Sequence, residues 1–119
     1  MQARNVTSDK IVKDLISSMK GLITAEELKT RIESMIAPTI IDVRGADEVS
    51  DGMIPGAIHL PMDEVAARAA EVLPNKQREV VAYCKLGRRC AIVADQLREM
   101  GYSNVKSLEG GYEAYKNAL

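Results

Sequence analysis

The 119-residue sequence contains no phenylalanine and no tryptophan, so its four tyrosines carry all of its large aromatic surface. Leucine, isoleucine, valine, alanine and methionine must therefore fill the core. A single histidine and two cysteines exclude a Cys/His zinc module, which needs four ligands at characteristic spacing. No metal is expected, because no His/Cys/Asp/Glu cluster has ligand spacing. Neither a G-x-G-x-x-G nor a P-loop is present, so no nucleotide cofactor is expected. No apolar run approaches the ~20 residues of a membrane span. No secretory pattern opens the chain, and with so few cysteines this predicts a reducing, cytoplasmic setting. A net charge of −1 excludes a general nucleic-acid binder.

What is present reads as one domain, since domains cluster near ~100–150 residues, preceded by an extension over residues 1–20. Met1–Ser8 is polar and expected to be disordered. Residues 9–20 read as an amphipathic helix capped by Asp9, with Ile11, Val12, Leu15, Ile16 and Met19 at helical spacing. That stripe is expected to pack on the domain; a dimer contact or a docking helix are the other readings. Gly21 ends it. Leu22-Ile23 reads as a short strand and Thr24-x-x-Glu27 as a capping box. The next helix would bury Leu28, Ile32, Met35 and Ile36 and stop at Pro38.

Thr39–Val43 is an apolar, β-branched run typical of a central parallel strand. Asp42 and Arg44 at its exit are expected to pair structurally. Ala57–Leu60 reads as a short strand, and His59 as a hydrogen-bonded packing residue. Met62–Leu73 reads as a helix with Val65, Ala66, Ala69 and Val72 inward. Val80–Tyr83 is a buried strand and Arg88–Met100 a helix with Gly101 as its C-terminal cap. Asn104–Leu108 is the last strand, and a short helix carries Tyr112 and Tyr115. Strands alternating with helices imply a parallel sheet covered on both faces.

Between the Val80–Tyr83 strand and the helix after it lies Cys84-Lys85-Leu86-Gly87-Arg88-Arg89-Cys90. In open α/β sheets this carboxyl edge of the strands is where ligands bind. A helix N-terminus offers unpaired N–H groups and a positive dipole end, and Lys85, Arg88 and Arg89 add cations. These features favour a thiolate over a thiol of ordinary pKa ~8.5 and point to a nucleophilic Cys84. The plainer reading of Cys84 is a small buried hydrophobe.

The loop Cys84-x-x-Gly87-x-Arg89 resembles the active-site loop of rhodanese-like sulfurtransferases. So do Ile40-Ile41-Asp42-Val43-Arg44 with Glu48, Gly52-Met53-Ile54-Pro55-Gly56-Ala57, and the closing Gly101-Tyr102-Ser103-Asn104-Val105 with Gly110-Gly111. The likeness runs over residues 21–119 in the right order. It implies an α/β rhodanese-like domain there, with a central five-stranded, mostly parallel sheet and helices on both faces. It implies a Cys84 persulfide that moves sulfur from thiosulfate or another persulfide to a thiol or cyanide. A thioredoxin-like or other sulfur-accepting protein is a further partner it allows.

In that picture Cys84 and Arg89 are catalytic. The backbone of Lys85, Leu86, Gly87, Arg88 and Cys90 forms a nest for the substrate. The Arg89 fork suits an oxyanion, while Lys85 and Arg88 steer anions from the rim. Cys90 stands where the family has a small residue, often serine; it is a packing residue or a resolving thiol. Met53, Val49 and Tyr115 depart from the family pattern at scaffold positions. Two rival functions share the loop. One is phosphatase or arsenate-reductase chemistry, whose loop has one more residue between Cys and Arg. The other is a non-catalytic interaction module.

Overall fold

Described here from a computed structural model covering residues 2–118, the chain forms six helices and five strands around one sheet. In order these are α1 (Gln2–Met19), β1 (Leu22–Ile23), α2 (Ala25–Glu33), β2 (Thr39–Asp42), α3 (Ala46–Val49) and β3 (Ile58–His59). A 3₁₀ turn (Met62–Glu64) then leads to α4 (Val65–Val72), β4 (Val80–Tyr83), α5 (Arg88–Glu99), β5 (Val105–Leu108) and α6 (Gly111–Asn117). The strands lie in the order β1-β5-β4-β2-β3, every neighbouring pair parallel. This is the parallel α/β sheet that the alternating pattern implies, with the five strands that the family resemblance implies.

Period-2 alternation along the strands builds two cores. Ile41, Val43, Val80, Ala82 and Cys84 join Val65, Ala69, Val93 and Leu97 of α4 and α5 on one face. Ile40, Val81 and Tyr83 join Leu28 of α2 and Leu108 on the other, with Tyr112 and Tyr115 of α6 packed against them. Both faces are covered, which is why the central strands read as continuous apolar runs. Cys84 therefore extends the alternation of β4 onto the α5 side.

Several expectations need correction. The first helix begins at Gln2, not near Asp9, so Gln2–Ser8 is helical; Met1 lies outside the described residues. No glycine or proline interrupts the stretch up to Met19. Its apolar stripe does not pack on the domain. Ile11, Val12, Leu15, Ile16 and Met19 are 47–79% exposed. The face turned inward is polar: Ser17 donates to Glu109 at 3.0 Å, and Thr24 donates to Asp14 at 3.0 Å. Both sheet faces are already covered by α2, α4, α5 and α6, which leaves α1 only the β1 edge. Thr24 caps α2 as expected, accepting from the Glu27 N–H at 3.1 Å. That helix stops at Glu33, however, and Met35 turns left-handed (φ 62°), so Met35 and Ile36 are exposed rather than buried. In α4 Val65 and Ala69 face inward with Val72 partly buried against the same core, followed by Leu73; only Ala66 departs from the expected set and faces solvent.

Candidate active site

The Cys84 loop is shaped from outside by α6. The Tyr112 N–H donates to the Cys84 carbonyl at 2.7 Å, and the Glu113 N–H to the Lys85 carbonyl at 3.1 Å. In a trans peptide the N–H points opposite its carbonyl. Drawing these carbonyls toward α6 therefore turns loop N–H groups the other way, toward the Cys84 sulfur. Gly87 N–H donates to Cys84 Sγ at 3.1 Å and Cys90 N–H at 3.3 Å. Two glycines make this approach feasible. Gly87 has φ 105°, which side chains rarely adopt. A Cβ on Gly111 would sit 2.5 Å from the Lys85 oxygen and 2.6 Å from the Cys84 oxygen.

These donors set the charge. The Cys84 thiol is lowered to about 5, first by the hydrogen bond from the Cys90 side chain and then by the N–H groups of Cys90, Gly87 and Leu86, against the opposing effect of burial. The same hydrogen bond, with burial, pushes the Cys90 thiol up. The pair therefore rests as a Cys84 thiolate beside a protonated Cys90. Both sulfurs are unpaired, and both residues are at most 1% exposed.

The cations contribute differently from what their proximity in the sequence implies. The Arg89 fork is not open for an oxyanion: Nη1 and Nη2 hold the two Glu48 carboxylate oxygens at 2.6 and 2.8 Å. This bidentate pair holds the Glu48 carboxyl down at about 2. Lys85 and Arg88 are exposed and make no ion pair among the described residues. With Cys84, Leu86 and Arg89 they line a depression of about 220 Å³ over the sulfur.

Behind the loop lies a buried polar network. Arg44 grips Asp42 at 2.7 Å and the Gly52 carbonyl at 2.7 Å. Tyr83 donates to Asp42 at 2.6 Å and accepts the Ile54 N–H at 3.0 Å. The Arg44 guanidinium stacks 4.4 Å from the Tyr112 ring. Asp42 and Arg44 are thus the structural couple expected of them. His59 is a packing residue, its Nε2 2.7 Å from the Arg44 carbonyl oxygen. Among the described residues no His/Cys/Asp/Glu group is arranged to hold a metal, and no helix is long and apolar enough to cross a membrane.

A nest of N–H groups around a strand-end cysteine is the feature on which the sequence likeness turned, and comparison with known proteins agrees. The rhodanese-like domain family matches residues 24–118. The chain belongs to the rhodanese-like family. A sulfurtransferase of Allochromatium vinosum is 36% identical over 97 residues, covering 82% of this chain and 89% of its own. The thiosulfate sulfurtransferase PspE of Escherichia coli is 37% identical over 70 residues, covering 59% of this chain and 67% of its own. The solution structure of the rhodanese-like domain of an Anabaena protein superposes with a TM-score of 0.74 at 32% identity, over 82% of this chain and 74% of that one.

Within this rhodanese-like site three features carry more than their sequence signals reveal. Glu48 belongs to the D-V-R…E segment, yet its pairing with Arg89 spans 41 residues. Gly110-Gly111 belongs to the closing segment, yet its position against the loop carbonyls appears only in three dimensions. Tyr83 reads as a strand apolar and serves as a hydrogen-bonding post for Asp42 and Ile54.

Proposed function

We propose that this rhodanese-like protein is a sulfurtransferase in which Cys84 attacks a sulfane-sulfur donor such as thiosulfate. The Cys84 thiolate forms a bond to the outer sulfur of the donor. The donor's S–S bond breaks, and sulfite leaves with the electron pair. An acceptor thiolate or cyanide then takes the outer sulfur and returns Cys84 to a thiolate. The observation that carries this reading is the Cys84 sulfur itself. It is held by two backbone N–H groups beside a neighbouring thiol, ionised above a pH of about 5, beneath a depression sized for a small anion.

Lys85 and Arg88 draw the anion to the rim, and an oxyanion reaches the Arg89 fork only in competition with Glu48. That competition weighs against phosphatase or arsenate-reductase chemistry, which needs the arginine free to grip a tetrahedral anion. The four-residue spacing between Cys84 and Arg89 weighs the same way. A depressed thiol weighs against a purely non-catalytic module. The family match from residue 24 supports treating residues 1–20 as an extension and 21–119 as the domain. Two unpaired cysteines fit a reducing, cytoplasmic setting.

The test is intact mass after thiosulfate, alongside thiosulfate:cyanide turnover. One sulfur atom gained, lost on adding a reducing thiol, and abolished in Cys84→Ser is the expected result. Hydrolysis of a phosphate ester with no sulfur uptake would reverse the assignment.

A further inference from the structure

Cys90 does more than fill a small space. It lies on the first turn of α5, its backbone N–H reaches Cys84 Sγ at 3.3 Å, and its side chain is fully buried. Its thiol donates to the Leu108 carbonyl at 4.0 Å, and its interaction with the Cys84 side chain is the foremost influence lowering the Cys84 thiol. The depression lined by Lys85, Leu86, Arg88 and Arg89 opens over Cys84, while Cys90 has no exposure at all. A donor therefore meets Cys84 from the depression, and the sulfur it delivers lies on the open side. Cys90 stays buried beside the inner sulfur, so the attacking group lies in the core and the leaving group toward the depression.

We propose that Cys90 is a resolving thiol that, when no external acceptor is present, displaces the outer sulfur of the Cys84 persulfide as sulfide and closes a Cys84–Cys90 disulfide. This rests on the persulfide chemistry proposed above. A bond forms between the two cysteine sulfurs, and the bond from Cys84 Sγ to the outer sulfur breaks. The electron pair leaves with the outer sulfur, which takes the Cys90 proton and departs as hydrosulfide. The outer sulfur is reduced and the Cys90 sulfur is oxidised, while Cys84 keeps the oxidation level it reached when the persulfide formed. An external thiol or dithiol restores both by exchange, ending as its own disulfide.

The geometry allows it. A disulfide needs Cα atoms roughly 4.4–6.8 Å apart, and a nitrogen of one residue 3.3 Å from the sulfur of the other is compatible with that span. The proton on Cys90 is also released at the right moment. In the resting pair the Cys84 thiolate holds it in place. In the persulfide the charge has moved one atom outward, away from Cys90. The protein would then have a second output, sulfide from thiosulfate, and an off-state that only a reducing thiol reverses.

The experiment treats the full chain and Cys90→Ser with thiosulfate, anaerobically and without added thiol, then follows free sulfide, intact mass and peptide maps. The native chain is expected to release one sulfide per chain and to end two hydrogens lighter than its reduced form, with residues 84 and 90 cross-linked. Cys90→Ser is expected to keep its added sulfur for a time longer by roughly tenfold or more, because an intramolecular thiol acts at high effective concentration. A native chain that holds its added sulfur without releasing sulfide overturns the proposal and leaves the persulfide reading standing. Sulfide release without the 84–90 cross-link overturns it too. If neither chain gains sulfur, the persulfide reading fails and this proposal falls with it. Should the serine variant not fold, the sulfide and cross-link of the native chain decide alone.

Discussion

Cys84 and Cys90 hold one negative charge between them, and its position sets the pH behaviour of the site. The Cys84 pKa is depressed to about 5, so its thiolate is present above that pH and lost as pH falls through it. Glu48 titrates at about 2, so its bridge to Arg89 stays intact across that whole range. Alkylation of Cys84 by a neutral reagent should therefore rise with a midpoint near pH 5. Cys90→Ala should raise that midpoint by removing the foremost donor, whereas Arg89→Ala should move it little, because Glu48 already neutralises the guanidinium. The reverse ranking would return the thiolate's stabilisation to the cation. Linkage gives a second expectation. Between pH 5 and an unfolded-state value of ~8.5, the unfolded chain binds the Cys84 proton and the folded chain does not. Stability should thus rise with pH over that window, and denaturant midpoints of Cys84→Ser should lack this component of the rise.

At the scale of elements, α6 acts as a clamp on the loop it never follows in sequence. Its first N–H groups fix the carbonyls that would otherwise compete with the N–H groups for orientation. Gly111→Ala forces a Cβ into those carbonyls at a residue with φ 64°. The expected cost is about 1–3 kcal/mol, with the Cys84 alkylation midpoint raised because the nest opens. Unchanged reactivity in a destabilised Gly111→Ala would mean that the nest keeps its shape without α6. The first helix gives the opposite case. Leu15 is 59% exposed, so Leu15→Ser should alter unfolding free energy by no more than ~0.5 kcal/mol. Leu28→Ala, at 0% exposure, should cost ~2–5 kcal/mol. Equal losses at the two positions in urea titrations would place the α1 stripe in a packed interface.

The whole molecule is tied at its centre by charge as well as by apolar packing. Asp42 on β2, Tyr83 on β4 and Arg44 beyond β2 join the two central strands to the segment at Gly52–Ile54, and each of the three is at most 3% exposed. Asp42→Ala leaves a guanidinium buried without its carboxylate and should cost ~3–5 kcal/mol. Tyr83→Phe, which removes one hydroxyl from the same network, should cost only ~1–3 kcal/mol. Chemical denaturation of both variants tests the order; a milder Asp42→Ala would mean that Arg44 finds solvent or another partner.

Much of this was already determined by the sequence alone. Helical and strand periods, the β-branched runs at Thr39–Val43 and Val80–Tyr83, and the strand–loop–helix placement of Cys84 are local properties, set by residues within a few positions of one another. So were the Asp42–Arg44 couple, two residues apart, and the Thr24 cap, three residues from its donor. What only the tertiary structure decided depends on partners far along the chain. Glu48 closes the Arg89 fork across 41 residues, and Ser17 turns α1 inward by its polar side through Glu109, 92 residues away. Helical spacing shows that α1 has an apolar stripe but not which way it faces, because the direction depends on what already covers the sheet. The Cys90 side chain likewise could point to core or catalyst from its place on a first helical turn. Packing α5 against β4 put it against both, since the Cys84 sulfur forms part of that core.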